Sequence, residues 1–123
     1  IGSRKLKSSK LLNRQPILRE QLGKTFTFFS QVMLELPISD FTCGFKCFSK
    51  KAAEEIFPRQ TIHRWGFDSE ILFIGYQHGF AIKEVPVVWK NDPNTKVRFP
   101  QDIISSANEL LKIRINHLQG KYH

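Results

Sequence analysis

SDFTCGFKCFSKKAAEEIF, residues 39–57, contains the change of pattern on which the fold assignment depends. Along its first half every second residue is apolar, at Phe41, Cys43, Phe45 and Cys47. This alternation predicts a β-strand with those four side chains on one face. Ser49 is a favourable helix N-cap, and the Lys/Ala/Glu run behind it predicts a short helix over residues 50–57 that Pro58 ends. A strand that leads directly into a helix indicates an α/β fold.

Three more helices are predicted from apolar residues at helical spacing. The first covers residues 16–36, with a proline where it begins and another just after it ends. The second covers residues 66–79, with Asp68 as its N-cap and Gly79 just past its last turn. The third covers residues 101–118 and is amphipathic.

The remaining segments are predicted to be one β-rich stretch and two loops. Residues 80–89, FAIKEVPVVW, favour β-structure, but the alternation slips at Glu84 and Pro86 lacks an amide donor. A bulge or an edge strand is therefore expected there. Residues 1–13 and 90–100 are predicted loops. A chain of 123 residues is long enough for one domain, so the whole chain is assigned to a single α/β unit.

The positive charge is concentrated in the first part of the chain. The net charge is +8, and residues 1–24 contain only one acid, Glu20, against seven basic residues. Those basic residues are Arg4, Lys5, Lys7, Lys10, Arg14, Arg19 and Lys24. Such a segment predicts an anionic partner: phosphate groups, acidic lipid or nucleic acid. The helix over 16–36 could bury its apolar stripe in a core or lie on a membrane surface, and the pattern alone favours the core.

Several kinds of site are not supported. Cys43 and Cys47 are four residues apart and have no paired histidines, so they are predicted to be small core residues and not zinc ligands. Two cysteines make no disulfide framework, which favours a reduced, cytosolic setting. No signal peptide, transmembrane stretch, glycine-rich phosphate loop or nucleophile elbow is evident. Because the chain begins at Ile1 and its one methionine is Met33, we expect it to be a piece of a longer protein.

Charged residues at predicted element boundaries remain as candidates. Asp40, Asp68 and Glu70 are the acids at such positions, although Asp68 could serve simply as a helix cap. Cations occupy nearby loop positions, at Arg4, Lys46, Lys90, Lys96 and Arg98. Carboxylates beside Arg and Lys on loops are typical of a site that handles phosphate.

Five segments, taken in order, carry a family resemblance. They are GSR (2–4), SDFTCGFKCF (39–48), RWGFDSEIL (64–72), IKEVPVVW (82–89) and TKV (95–97). Together they resemble the second half of a family 2 glycosyltransferase of the polyprenyl-phosphate branch, which contains dolichyl-phosphate glucosyltransferases and mannose synthases. The resemblance extends over nearly the whole chain.

The resemblance implies a fold and an activity. The fold would be the acceptor-side half of a GT-A domain, a mixed sheet flanked by helices, with amphipathic helices at the membrane interface. The activity would be transfer of glucose or mannose from a UDP- or GDP-hexose to a polyprenyl phosphate at the cytoplasmic membrane face, with no nucleic acid as partner. Mg²⁺ or Mn²⁺ would be required. Because the Asp-x-Asp motif belongs to the other half, the metal ligands would lie mostly outside this chain, which alone would be inactive.

The resemblance also implies roles for particular residues. Arg4 and Arg19 match arginines that bind the acceptor phosphate, a task suited to bidentate guanidinium contacts. The residues that match the catalytic cleft are Asp40, Lys46, Asp68 and Glu70. Those that match the loop over the donor diphosphate are Lys90, Thr95 and Lys96.

The implied mechanism is an inverting displacement. An acceptor phosphate is already anionic near neutral pH and needs little help from a general base, so the cations would position two repelling anions and stabilise the leaving diphosphate. In this branch the helix over 16–36 would lie at the membrane. Two alternatives stay open: a family 2 transferase acting on a sugar hydroxyl, with Asp40 or Asp68 as base, or a non-catalytic basic module that binds anionic membrane or nucleic acid.

Overall fold

The computed structural model describes residues 1–94, 98 and 101–123, and over these the chain is an α/β protein with short strands. The helices are α1 (Ile17–Leu34), α2 (Lys50–Ile56), α3 (Phe67–Gln77) and α4 (Gln101–Leu118). The strands are β1 (Gly2–Ser3), β2 (Lys10–Leu11), β3 (Val85–Pro86) and β4 (Val88–Trp89). The four predicted helices are therefore confirmed, and so is the coarse α/β class.

Two short parallel ladders join the first residues of the chain to the segment before its last helix. Strand β1 pairs with β3, with Gly2 opposite Val85, and β2 pairs with β4, with Lys10 opposite Val88. The β-rich segment is thus confirmed, and its slip separates the two ladders at Val87. The loop predicted over 1–13 is wrong in part, because it contains β1 and β2. The predicted mixed sheet also differs, since both ladders among the described residues are parallel.

The strand predicted over residues 40–48 is wrong, because the structure has no strand there. Phe41 and Cys43 are buried, but Phe45 is 69% exposed and Cys47 is exposed as well, so the alternation does not make one buried face. The reason is Lys46, whose ammonium donates to the carbonyl oxygens of Phe41 and Cys43 at 3.0 and 2.6 Å. A side chain that binds carbonyls three and five residues behind it requires a curled backbone, which is incompatible with an extended strand.

A close approach of backbones fixes β1 beside this curled segment. The Gly2 amide donates to the Phe45 carbonyl at 2.7 Å. A Cβ atom at Gly2 would lie 2.7 Å from Val87 Cγ1 and 3.2 Å from Cys43 Sγ. Only glycine fits this position, and the residues that follow it are therefore held close to residues 40–46.

The helix ends are mostly as predicted, with one exception. Ser49 Oγ accepts the Ala52 amide at 3.2 Å and caps α2, and Gly79 adopts a φ of +76° just past α3. Asp68 is not the N-cap of α3, because the cap position belongs to Gly66, whose amide is bound by Glu109 of α4. Asp68 instead lies in the first turn of α3, where its carboxylate is free to bind a cation.

The core is built around α3. Buried side chains from α3, from α4 and from the segment after α1 form one cluster. Its most enclosed members include Leu34, Leu36, Phe41, Phe73, Ile74, Leu110 and Ile113. Residues 69–75 of α3 are all buried, so this helix lies inside the core along most of its length.

Much of the apolar surface of α1 and α4 is outside this core. On α1 the exposed fractions are 65% for Leu18, 67% for Phe28 and 59% for Val32. On α4 exposed apolar side chains recur on one face, at Ile104, Leu111, Ile115 and Leu118. Of the predicted α1 stripe, Leu18, Phe29 and Val32 are exposed. Phe26 packs against the core and Leu36 is buried in it, so the preference for a core role, based on the pattern alone, is wrong for part of the stripe. Burying each such side chain would be worth about 1.5–3 kcal/mol.

Candidate functional site

An arginine–aspartate pair lies at the junction of β1 with the curled segment. Arg4 Nε and Nη2 each donate at 2.8 Å to a different oxygen of Asp40, and the Arg4 amide donates to the same carboxylate at 2.9 Å. Arg4 Nη2 also donates to Thr42 Oγ1 at 3.0 Å. On its other side the guanidinium lies 5.3 Å from the ring centroid of Trp89. The fold thus brings two of the predicted site residues into bidentate contact.

This pair is ionised at neutral pH. Burial raises the pKa of the Asp40 carboxyl, but the hydrogen bonds and the charge of Arg4 outweigh burial and hold that pKa below its usual value. The hydrogen bond to Asp40 raises the pKa of Arg4 in turn. A carboxylate whose two oxygens are both engaged by one guanidinium is a poor proton acceptor near pH 7. The geometry therefore disfavours Asp40 as a general base.

Lys46 and Asp68 form a second ion pair. Lys46 Nζ lies 2.6 Å from Asp68 Oδ1, and the two side chains are only 5% and 15% exposed. With the carbonyls of Phe41 and Cys43, the carboxylate of Asp68 accounts for all three N–H groups of the ammonium. In this arrangement Lys46 anchors the curled segment to α3. Its catalytic role, and that of Asp68, stay predictions.

The two ion pairs are neighbours. The charge of Asp68 is close enough to Arg4 to contribute to its raised pKa, after the larger effects of Asp40. Residues 40–46 connect the pairs, because Asp40 begins this segment and Lys46 ends it. Four predicted site residues, Arg4, Asp40, Lys46 and Asp68, are thus gathered around one short segment.

Glu70 lies away from this group. It is two residues after Asp68 on α3 and so faces another side of the helix. Its carboxylate is fully buried and accepts hydrogen bonds from the Thr61 amide and hydroxyl, the Ile62 amide and the Tyr122 hydroxyl. Burial and then the bond to Glu70 raise the pKa of Tyr122. Glu70 ties α3 to the C-terminal residues, and its predicted catalytic role stays a prediction.

Lys5 is a site residue that the sequence reasoning did not single out. Its ammonium contacts the Gly23 carbonyl at 3.3 Å and the Thr27 hydroxyl, both on α1. Lys5 is exposed overall, but contact with the helix desolvates its ammonium and so lowers the pKa of Lys5, although Asp40 opposes this shift. Nothing in the sequence distinguishes Lys5 from the other six basic residues of this segment, because its contacts depend on where α1 packs. Lys5 adds a second cation beside Arg4.

The other predicted phosphate-binding residues are less closely defined. Arg19 lies in the first turn of α1 and is half-buried, and Lys90 is exposed just after β4. Thr95 and Lys96 lie outside the described residues. The roles of these four residues therefore stay predictions.

The described residues do not fit a divalent cation. They contain no group of three or more His, Cys, Asp and Glu side chains suited to a metal ion. Both oxygens of Asp40 are bound by Arg4, and Asp68 Oδ1 is bound by Lys46, so a cation pairs with each of these carboxylates. Both cysteines are free thiols, Cys43 buried and Cys47 exposed. In the described ranges no helix has both the length and the apolar content that a membrane span requires.

Comparison with known proteins gives a consistent set of relatives. The chain is 36% identical over 120 residues to a dolichyl-phosphate β-glucosyltransferase of Dictyostelium discoideum, which is 97% of this chain and 37% of the relative. The enzyme of that name from Saccharomyces cerevisiae is 36% identical over 69% of this chain and 25% of its own length. The human enzyme of that name is 29% identical over 98% of this chain and 37% of its own length.

These relatives are considerably longer than this chain. The chain spans between a quarter and two fifths of the length of each of the three. No protein-family model matches the chain. No solved structure matches it either.

Proposed function

The chain is homologous along nearly all of its length to dolichyl-phosphate β-glucosyltransferases, and from this we propose that it is the acceptor-side part of such an enzyme. The reaction is transfer of glucose from a nucleotide sugar, UDP- or GDP-linked, to a polyprenyl phosphate. The chain would then be a partial domain of GT-A type. One observation supports this assignment most strongly: Arg4 is oriented by Asp40 and Trp89, with Lys5 beside it.

Arg4 is prepared to bind a phosphate without being rearranged. Asp40 occupies Nε and one side of Nη2, whereas the two hydrogens of Nη1 have no acceptor among the described residues. The side chain is 24% exposed, so these two donors can reach a ligand. A guanidinium that is already held in one orientation loses little conformational entropy when a phosphate oxygen binds.

The chemistry of the transfer is compatible with this arrangement. A phosphate oxygen attacks the anomeric carbon while the bond from that carbon to the nucleotide diphosphate breaks, which inverts the configuration. Arg4 and Lys5 hold the phosphate and offset its charge as it approaches the anionic donor. A divalent cation would supply further charge at the diphosphate, and the described residues contain no group of three or more side chains suited to hold it.

Membrane contact is part of the proposal. The exposed apolar stripes of α1 and α4 would lie in the interface of the cytoplasmic membrane face, where a polyprenyl chain is buried. Lys7, Lys10 and Arg14 are exposed in the preceding segment and suit anionic headgroups. The support for this location is the combination of unburied apolar side chains on α1 with the basic segment that precedes it.

The central experiment uses the full-length natural protein with dolichyl phosphate, a divalent cation and UDP-glucose or GDP-mannose. Lipid-linked glucose is expected, and no lipid-linked product with either donor would overturn the proposal. Arg4→Ala should raise the KM for dolichyl phosphate by about 10- to 100-fold, since the charge-assisted contact from Nη1 to the phosphate is lost, and should leave the donor KM unchanged. Lys51→Ala, an exposed cation on α2, is the matched control and should change neither KM.

Flotation with anionic liposomes tests the membrane contact. The double variant Phe28→Ser/Val32→Ser should reduce the bound fraction several-fold, because two exposed apolar side chains are removed from α1. Phe45→Ser is the control, since Phe45 is as exposed as Phe28 but lies outside both helices. Equal losses in the two variants would contradict a specific role for the exposed apolar side chains of α1.

A further inference from the structure

Glu84, the residue just before β3, binds the main chain at the start of the curled segment. Its Oε1 atom accepts from the Ser39 hydroxyl at 2.6 Å, from the Ser39 amide at 3.0 Å and from the Asp40 amide at 3.2 Å. One carboxylate oxygen therefore holds two successive amides of the chain. Hydrogen bonds to a charged acceptor are about twice as strong as neutral ones.

These bonds connect Glu84 to the arginine–aspartate pair. Asp40 is the residue whose amide Glu84 binds and whose side chain binds Arg4. The Ser39 hydroxyl also lies 2.8 Å from the hydroxyl of Ser3, the residue before Arg4. A continuous hydrogen-bonded path thus runs from Glu84 through Ser39 and Asp40 to Arg4.

The ladder between β1 and β3 makes this path possible. Because β1 pairs with β3 in parallel, with Ser3 opposite Pro86, the residue before β3 lies beside the start of the chain. The charge of Glu84 also acts on Lys5, where it raises the pKa against the larger lowering effect of burial. Glu84 therefore acts on both cations of the site, on Lys5 through its charge and on Arg4 through Asp40. Among the described residues it makes no hydrogen bond to Arg4 itself.

We propose that Glu84 is a positioning residue for the phosphate-binding site: it fixes the Ser39–Asp40 main chain so that Asp40 orients Arg4. Without this acceptor, two amides in a half-buried setting lose their partner and the segment can move. A displacement of about 1 Å at the Asp40 carboxylate would break the bidentate geometry, and misplacement on this scale costs up to about 100-fold in rate. The effect on catalysis rests on the proposed function, whereas the positioning of Asp40 does not.

Two readouts on the full-length protein test this role. Hydrogen exchange followed by mass spectrometry over residues 36–46 reports on the Ser39 and Asp40 amides whether or not the enzyme is active. Glu84→Ala should speed their exchange by about tenfold or more, and Glu84→Gln, which keeps an oxygen acceptor, should stay within about threefold of the natural protein. Glu54→Ala, on the exposed side of α2, is the matched control and should change neither amide.

The kinetic readout separates positioning from general destabilisation. Glu84→Ala should raise the KM for dolichyl phosphate about tenfold with the donor KM unchanged, and Glu84→Gln should restore most of the loss. An equal rise in the KM for dolichyl phosphate and in the donor KM would overturn the proposal. Unchanged hydrogen exchange of the Ser39 and Asp40 amides would also overturn it. If Glu84→Ala fails to fold, Ser39→Ala replaces it, since this variant removes only the hydroxyl contact and should give an intermediate shift in both readouts.

Failure of the proposed function gives a different pattern. In that case the natural protein itself forms no lipid-linked sugar, and the exchange experiment alone decides whether Glu84 holds the Ser39–Asp40 main chain.

Discussion

Lys46→Met is the substitution that best tests how the curled segment is held. Methionine keeps an unbranched apolar stem of similar length and removes three donors. Asp68, 15% exposed, would lose its cation, and the carbonyls of Phe41 and Cys43 would lose a donor. Because breaking a buried pair leaves an uncompensated charge, the free energy of unfolding should fall by about 3–5 kcal/mol.

A double-mutant cycle sharpens this magnitude. Asp68→Asn retains an oxygen acceptor for the ammonium and should cost only about 1–2 kcal/mol. The variant that carries both changes has no unpaired carboxylate, so its cost should be smaller than the sum of the single costs by at least about 1 kcal/mol. An interaction energy near zero would mean that Lys46 and Asp68 are not coupled.

The assay is urea unfolding at pH 7, followed by tryptophan fluorescence, beside the transfer assay on the same preparations. Lys50→Met is the control, because Lys50 is 89% exposed and its distance to Glu54 is 3.8 Å. Its effect should stay within about 0.5 kcal/mol. The reasoning would be refuted if Lys46→Met abolished transfer while costing less than about 1 kcal/mol, since the ammonium would then act on a substrate and not on the fold.

Three further outcomes are expected. Tyr122→Phe should lower the free energy of unfolding by about 1.5–3 kcal/mol in urea, because a donor at 2.6 Å from the buried Glu70 carboxylate is lost. Asp40→Asn should flatten the acid limb of a circular dichroism titration. The pKa of Asp40 is depressed in the folded state, so its stabilisation is present above about pH 4 and is lost as the pH falls through the folded value. Trp89→Leu should raise the acceptor KM a few-fold without changing the donor KM, since a cation–π contact to Arg4 is lost.

The helices are predictable because their signals are local. Apolar spacing in residues 17–34 and 101–118 and the cap at Ser49 each depend on neighbours a few positions away. The two wrong predictions near the site also came from local patterns. Alternation in residues 41–47 indicates a strand, but Lys46 curls this segment by binding its carbonyls. Asp68 has the chemistry of a cap, but Gly66 takes the cap position and Asp68 pairs with Lys46.

Which residues form the site is less predictable from the chain. The resemblance to polyprenyl-phosphate transferases indicates Arg4 and Asp40, and the fold brings these two together. It does not indicate that Lys46 is surrounded by protein acceptors, that Glu70 faces the core, or that Lys5 and Glu84 belong beside the pair. No pattern within a few residues of Lys5 or Glu84 distinguishes them from other charged side chains.

The sequence by itself determined the α/β class, the helix positions and the basic character of the first 24 residues, because each depends on composition or on short-range order. Its resemblance to family 2 glycosyltransferases of the polyprenyl-phosphate branch depends on five motifs in order and leaves glucose and mannose both open. The tertiary structure decided the pairing of charges. Arg4 meets Asp40 across 36 residues, Lys46 meets Asp68 across 22, and Ser39 meets Glu84 across 45. Such contacts form only when packing brings distant segments within about 3 Å of each other, and the strength of an ion pair depends on the burial that this packing creates.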